Sequence, residues 1–92
     1  MALGITRFKK LSRFKKAYKD LPKHLQSEVD GTIRDLGRPK PPHGRRLKQM
    51  RGYKNPKVWE IRVNAKYRMT FELDGETAVL RNVGPHDILN DP

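Results

Sequence analysis

The sequence predicts an α+β fold in which an N-terminal helical hairpin packs on a small antiparallel β-sheet. Apolar residues recur at helical spacing in the first half of the chain and at every second position in the second half. A stretch rich in proline and glycine, residues 37–44, separates the halves and excludes regular structure there. With 92 residues, the chain is expected to form one domain, residues 1–92.

The second predicted helix is the more clearly marked of the two. Pro22 suits its first turn, and Gly37 followed by Pro39 marks its end. Its apolar face consists of residues spaced three and four apart, namely Leu25, Val29, Ile33 and Leu36.

A shorter helix is predicted before it, with Ser12 as the N-cap. Residues 3–9 allow two interpretations, an extension of this helix or an edge strand. The β-branched Ile5 and Thr6 favour the strand. The apolar residues of the short helix are Phe14, Ala17, Tyr18 and Leu21.

Three strands are predicted within residues 58–83. Asp74-Gly75 is a strong signal for a two-residue hairpin turn, and residues 64–66 indicate a slightly longer one. The residues that alternate onto one apolar face are Trp59, Ile61, Val63, Tyr67, Met69, Phe71, Leu73, Ala78 and Leu80.

These two turns predict the register of the sheet and align three arginines on its other face. Arg62 is expected opposite Arg68, Glu60 opposite Thr70, and Arg68 opposite Arg81. The apolar pairs expected on the core face are Trp59–Phe71, Ile61–Met69, Val63–Tyr67, Phe71–Ala78 and Met69–Leu80.

Packing gives no reason for such an arginine row, because like charges opposite each other cost about 0.2–1 kcal/mol per pair. An anionic ligand does, since guanidinium groups present paired donors that match phosphate oxygens. In the alternative interpretation, Glu60 and Glu72 neutralise the row diagonally and leave an ordinary solvated face. A slip of one turn residue would also move Arg62 out of line.

The charge balance favours a polyanionic partner. Lys and Arg number 21 against 10 Asp and Glu, a net charge of +11. RNA or DNA fits best, then an acidic protein, then an anionic membrane surface; a basic domain without any anionic partner is the alternative. The absence of cysteine excludes disulfides and thiolate chemistry. The first residues, "MALGITRFKKL", lack the apolar run of a signal peptide, so a cytoplasmic location is expected.

His86 is a candidate for giving or taking a proton. The Gly84-Pro85 pair is expected to turn the chain out of the sheet just past Arg81, which brings His86 near the edge of the row. An imidazole titrates near neutral pH, although His86 is also compatible with an ordinary exposed loop residue. No metal or cofactor is expected, because His86-Asp87 lacks a third ligand at a recognisable spacing and no phosphate-binding glycine motif is present.

Several segments together resemble the RelE/ParE superfamily of bacterial toxin–antitoxin systems, and the resemblance covers most of the chain. They are "YKDLPKHLQSEV", "GRRLKQMRG", "VWEIRVNAKYRMTFEL" and "LRNVGPHD". The resemblance implies two helices on a small antiparallel sheet. It also implies, for the ribonuclease branch of the superfamily, cleavage of mRNA on the ribosome, and a cognate antitoxin as partner.

The resemblance assigns roles to individual residues. Arg68 takes the position that stabilises charge on the scissile phosphate, Arg62 lies near a position that contacts RNA, and His86 takes a position held by arginine or a catalytic histidine. Two features depart from the family pattern: "HDILNDP" carries no aromatic residue, and Glu60 stands where some members have lysine. The general base is therefore left open between Glu60 and Lys66.

The reaction so implied is a metal-free transesterification, in which Arg81 or Arg62 assists Arg68. Flanking phosphates would be held by the cations Lys48, Arg51, Lys54, Lys57 and Lys66. Two other functions stay open: a ParE-like inhibitor of DNA gyrase, which needs no acid–base pair, and a non-enzymatic RNA-binding domain. The second is disfavoured because Trp59, Tyr67 and Phe71 are predicted on the buried face.

Overall fold

The computed structural model describes residues 3–54 and 57–92 of the chain. It confirms the α+β fold, with helices on one face of a five-stranded sheet. The elements are β1 (Arg7–Lys10), α1 (Ser12–Lys19), α2 (Lys23–Leu36), β2 (Lys48–Lys54), β3 (Lys57–Arg62), β4 (Tyr67–Asp74) and β5 (Thr77–Pro85), with 3-10 helices at His43–Arg45 and His86–Asn90. The strand order is β1-β5-β4-β3-β2.

The helices pack on the sheet through the apolar faces that the spacing predicts. The α1 helix begins at Ser12, but its N-cap is Leu11, and no side chain caps it, so the Ser12 cap prediction is wrong. Tyr18 of α1 donates a hydrogen bond to Asp30 of α2 at 2.9 Å. The side chains that fill the centre of the core are Phe14, Val29, Leu36, Ile61, Met69, Phe71 and Leu80.

The edge-strand interpretation of residues 3–9 is confirmed, but the strand spans Arg7–Lys10 and does not include Ile5 and Thr6. Strand β1 pairs with β5 in parallel, with Arg7 opposite Thr77 and Lys10 opposite Leu80. The sheet is therefore mostly, not entirely, antiparallel. Charged, exposed residues on so short an edge strand disfavour pairing with another chain.

Strand β2 was not predicted from the sequence. It pairs antiparallel with β3 through Lys48–Glu60 and Gln49–Trp59, and the register then shifts before Lys54. Its sequence, KQMRGYK, lacks clean alternation, and Gly52 has a positive φ of 86°. The 3-10 helix His43–Arg45 also extends into the stretch expected to be irregular.

The predicted register between β3 and β4 is confirmed. Arg62 lies opposite Arg68, Glu60 opposite Thr70, Trp59 opposite Phe71 and Ile61 opposite Met69. The pairing continues into the turn, where the Val63 amide donates to the Tyr67 carbonyl at 3.0 Å.

The predicted register between β4 and β5 is wrong by two residues. Phe71 lies opposite Leu80, not Ala78, because the turn is centred on Gly75 and Glu76, one residue later than expected. Gly75 has a φ of 61° and stands at the first central position, as in a type II′ turn.

A bulge next to Leu80 shifts the pairing further. Thr70 lies opposite Asn82, Met69 opposite Val83 and Arg68 opposite Gly84, so the predicted Met69–Leu80 and Arg68–Arg81 pairs are absent. The extra residue is Arg81. Because one inserted residue reverses which side chains face inward, the bulge places Val83 in the core and keeps Asn82 out of it.

The segment after β5 folds back over the sheet face that the helices leave free, here called the site face. The chain leaves the sheet after Pro85, not at Gly84 as predicted. The 3-10 helix His86–Asn90 contacts β4 and β5, and Pro92 is buried. No helix within the described ranges is long and apolar enough to cross a membrane.

We predict that Gly84→Ala destabilises the fold by about 1–3 kcal/mol, because overpacking forces the backbone or a neighbouring side chain to shift. An added Cβ would lie 2.7 Å from Cγ2 of Ile88. Thermal unfolding measures the effect. In an Ile88→Ala background the same change should cost little, and Gly44→Ala, which meets no atom within 4 Å, is the control. An equal cost with Ile88 removed would contradict this explanation.

Candidate functional site

Two arginines on neighbouring strands form the centre of the site. Arg62 ends β3, Arg68 is the second residue of β4, and the two lie directly opposite each other on the site face. Both side chains are half-buried. Neither forms a salt bridge with any carboxylate of residues 3–54 and 57–92, so two partly desolvated cations stand together without a counter-charge.

Both guanidinium groups are anchored by main-chain carbonyls of the β3–β4 turn. Nε of Arg62 donates to the Asn64 carbonyl at 3.2 Å, and Nη1 of Arg68 donates to the same oxygen at 2.8 Å. Nη1 of Arg68 also reaches the carbonyls of Tyr67 at 3.0 Å and Ala65 at 3.4 Å. Within the described chain, both Nη atoms of Arg62 and Nε and Nη2 of Arg68 keep their protons available for a ligand.

The turn is itself held by the Asn64 side chain. Its Oδ1 accepts the amides of Lys66 and Tyr67, each at 2.9 Å. Its Nδ2 donates to Glu28 of α2 at 3.3 Å. The turn that orients the arginines is therefore tied to the helical layer.

Arg45, which follows the proline-rich linker, binds the main-chain carbonyls at the end of β3. Its Nη1 donates to the carbonyls of Val63 at 2.8 Å and Arg62 at 3.3 Å, and its Nε pairs with Asp35 at 2.9 Å. Asp35 lies in the last turn of α2, so this arginine links the helix, the linker and β3. Sequence reasoning missed Arg45, because nothing local distinguishes it from Arg46.

His86 lies at the same end of the sheet as the arginine pair. Its amide donates to the Lys66 carbonyl at 2.9 Å. It follows Pro85, which lies opposite Tyr67, while Arg68 lies opposite Gly84. Paired Cα atoms are roughly 5 Å apart in such a ladder, so the backbone of the exposed His86 lies close to that of Arg68.

Arg81 does not join this pair, and the three-strand row is a wrong prediction. It precedes Gly84 by three residues, which is roughly 10 Å along a strand. Its Nη1 contacts Glu72 at 2.7 Å, and its Nε and Nη2 lie 3.4 Å from the Pro92 carbonyl. For this one arginine, the predicted neutralisation by Glu72 is confirmed.

Glu60 lies on the site face, two residues before Arg62 on β3. It is 8% exposed and lies opposite both Thr70 and Lys48. The Lys48 ammonium is 4.0 Å from its carboxylate, at the limit of an ion pair. Glu60 therefore flanks the arginine pair on the side away from His86.

The other predicted phosphate-binding cations are dispersed. Lys48 shares the site face with Glu60, and the exposed Lys66 lies in the turn beside His86. Arg51 is exposed on the edge strand β2. Lys57 is five residues from Arg62, roughly 16 Å along the strand, and alternates onto the other face. The side chain of Lys54 lies outside the described residues.

This arrangement can seat one tetrahedral anion and exchange protons on either side of it. Guanidinium donors preset at partly buried positions stabilise charge that develops on phosphoryl oxygens. His86 and Glu60 lie on either side of the pair along the sheet, and their side chains are of types that can transfer protons. The residues that the structure describes contain no group of three or more His, Asp or Glu suited to a metal ion.

Solved structures share this fold. YafQ from E. coli strain BL21(DE3) superposes with a TM-score of 0.76 at 12% identity over 91% of this chain and 98% of its own. The match to the antitoxin–toxin complex RelB–RelE from Methanococcus jannaschii has a TM-score of 0.64 at 23% identity over 90% and 95%. The match to the RelE–RelB complex from Pyrococcus horikoshii OT3 has a TM-score of 0.69 at 18% identity, over 86% of this chain and 92% of that one.

The chain therefore has the fold of the RelE and YafQ toxins. The RelE-like fold expected from the sequence resemblance is confirmed. No protein-family model and no curated protein sequence matches the chain.

We predict that Asp35→Asn lowers the free energy of unfolding by about 1–3 kcal/mol, because it removes the charged partner of a half-buried guanidinium. Arg38 is the matched control, since it contacts the same carboxylate at 3.4 Å with a side chain 63% exposed. Arg38→Ala should cost roughly 0–1 kcal/mol. Urea unfolding of the two variants compares them, and equal losses would show that the Arg45 link contributes nothing special.

Proposed function

We propose that this chain is the toxin of a type II toxin–antitoxin system and acts as a metal-free endoribonuclease on mRNA. One observation carries the proposal: the half-buried arginines Arg62 and Arg68 stand together, with no carboxylate partner among residues 3–54 and 57–92, at the same end of the sheet as His86. A fold shared with RelE and YafQ toxins supports it. The net charge of +11 suits a nucleic-acid substrate.

The substrate in this proposal is a phosphodiester of single-stranded RNA. Its two non-bridging oxygens take the outward donors of Arg62 and Arg68, which replace the missing counter-charge. The bound anion then offsets the like-charge repulsion between the arginines. The free protein therefore already holds the two arginines in the arrangement that the ligand stabilises.

The reaction is an internal transesterification. The RNA 2′-oxygen attacks phosphorus and gives its proton to the base, while the bond from phosphorus to the 5′-oxygen of the next nucleotide breaks. His86, as imidazolium, donates its proton to that leaving oxygen. The products are a 2′,3′-cyclic phosphate and a 5′-hydroxyl. Arg68, assisted by Arg62, stabilises the charge on the phosphoryl oxygens.

Position favours Glu60 over Lys66 as the base. An in-line displacement places the attacking and leaving oxygens on opposite sides of phosphorus. Glu60 lies on the β3 side of the arginine pair, whereas His86 lies beyond it at the end of β5. Lys66 lies beside His86 and suits a phosphate contact instead.

The partners follow from the same proposal. Of the predicted phosphate-binding cations, Lys48 and Lys66 adjoin the site and would hold the nucleotides next to the cut. Arg51 and Lys57 would reach only more distant phosphates. A cognate antitoxin with an acidic segment would neutralise this basic surface. Messages on the ribosome, in the cytoplasm, would be the targets.

We expect Arg68→Ala to lower RNA cleavage on the order of 100- to 1,000-fold, the loss that follows removal of one oxyanion donor. His86→Gln should lower it on the order of 100- to 10,000-fold by removing the general acid. Growth arrest on expression and mapping of RNA ends after brief induction measure both effects. Cuts should bear cyclic phosphate and 5′-hydroxyl ends.

Arg81→Gln is the matched comparison, because it removes an arginine from the same face but away from the pair. It should lose far less activity than Arg68→Ala. Full toxicity of both Arg68→Ala and His86→Gln would contradict the catalytic assignment. DNA damage with intact messages would identify a gyrase inhibitor instead, and RNA binding without cut ends a non-enzymatic binder.

The choice of base gives a separate prediction. Glu60→Gln keeps the size of the side chain but cannot take the 2′-hydroxyl proton, so cleavage should fall on the order of 100-fold or more with RNA affinity kept. Lys66→Gln should weaken RNA binding and leave the rate at saturating RNA unchanged. Single-turnover kinetics on a short RNA separates the two, and the reverse pattern would assign the base to Lys66.

A further inference from the structure

Asn64 occupies a position that links the turn, the arginine pair and helix α2. Its main-chain carbonyl accepts from Arg62 and Arg68 at 3.2 and 2.8 Å. Its side chain accepts hydrogen bonds from the amides of Lys66 and Tyr67 and donates one to Glu28. One residue thus contacts both guanidinium groups and also fixes the peptide that they contact.

We propose that Asn64 is a positioning residue for the arginine pair, an inference that rests on the proposed ribonuclease activity. The main-chain oxygen lies between two cations and offsets part of their mutual repulsion in the free protein. It also occupies an inward donor of each guanidinium, so the remaining donors face the ligand.

The Asn64 side chain matters because the Asn64 carbonyl can orient the two arginines only if its own peptide group is held in place. The two hydrogen bonds to Oδ1 close the turn from Asn64 to Tyr67, and the bond to Glu28 ties that turn to α2. Alanine at this position removes all three bonds. The turn keeps the main-chain bonds from the Val63 and Asn64 amides to the Tyr67 carbonyl, at 3.0 and 3.3 Å, but the peptide after residue 64 loses its side-chain restraints, and the carbonyl shared by the arginines shifts.

A misplaced pair of arginines affects the transition state more than binding. A flexible cation still attracts a phosphate, but a shift of about 1 Å in a catalytic group can cost on the order of 100-fold in rate. Asn64→Ala should therefore lower kcat on the order of 100-fold, while affinity for an RNA with a 2′-deoxy cleavage site stays near that of the unsubstituted protein.

The experiment compares Asn64→Ala, Arg68→Ala and the double variant in single-turnover cleavage. If Asn64 acts through the arginines, adding Asn64→Ala to Arg68→Ala lowers the rate far less than Asn64→Ala lowers it in the unsubstituted protein, because only the effect through Arg62 remains; independent effects would multiply. Asn90→Ala is the control, since Asn90 is exposed and its side chain forms no hydrogen bond within residues 3–54 and 57–92. Asn64→Ser, which keeps one short acceptor, provides the same comparison if the alanine variant does not fold.

A second measurement does not depend on activity. The Nε–H signal of Arg62 in ¹H–¹⁵N spectra reports the bond to the Asn64 carbonyl. We expect this proton to be protected from exchange with solvent in the unsubstituted protein and to lose that protection in Asn64→Ala. Unchanged protection, a wild-type rate for Asn64→Ala, or multiplying losses in the double variant would each overturn the proposal. If the unsubstituted protein cuts no RNA, the proposed function fails, and the Arg62 signal still decides whether Asn64 positions the pair.

Discussion

The site depends on two like charges held side by side at the end of an antiparallel hairpin. A sheet ordinarily avoids this pairing, since cations opposite each other repel. In this chain the repulsion is met by main-chain oxygens of the turn that joins the strands, above all the Asn64 carbonyl. No carboxylate within the described residues pairs with either arginine, which leaves the charge uncompensated and the outward donors free.

The rest of the fold can be understood as support for that hairpin end. Arg45 holds the last carbonyls of β3 and is fixed in turn by Asp35 of α2. Glu28, about two turns earlier in the same helix, holds the turn through Asn64. Helix α2 therefore contributes two carboxylates to the frame of the site, although neither is expected to contact a substrate. This arrangement explains how a half-buried cationic pair keeps one geometry in so small a protein.

Sequence alone predicted the half of the site that depends on local alternation. The β3–β4 register followed from unbroken alternation on both sides of a short turn, and that register placed Arg62 opposite Arg68. The β4–β5 register could not be predicted, because the glycine of Asp74-Gly75 suits either the first or the second central position of a two-residue turn. Only tertiary packing selects between these two turns. The bulge at Arg81 avoids the cost of placing Asn82 in the core, and no local sequence pattern shows that it is needed. Arg45 and Asn64 act through residues distant in sequence, so their roles could be seen only once the layers were in place.

The displacement of Arg81 changes the chemistry expected of this face. Three converging guanidinium groups would hold a phosphate in every state of the reaction and so favour binding. In the proposed reaction, two arginines with Glu60 on one side and His86 on the other would leave room for the attacking and leaving oxygens. Because a catalyst must bind the transition state more tightly than the substrate, the smaller cluster would suit that reaction better. Arg81, bonded to Glu72 and the Pro92 carbonyl, holds the C-terminal segment on the site face. That contact is made at Pro92, at the opposite end of the segment from His86, and does not involve the arginine pair.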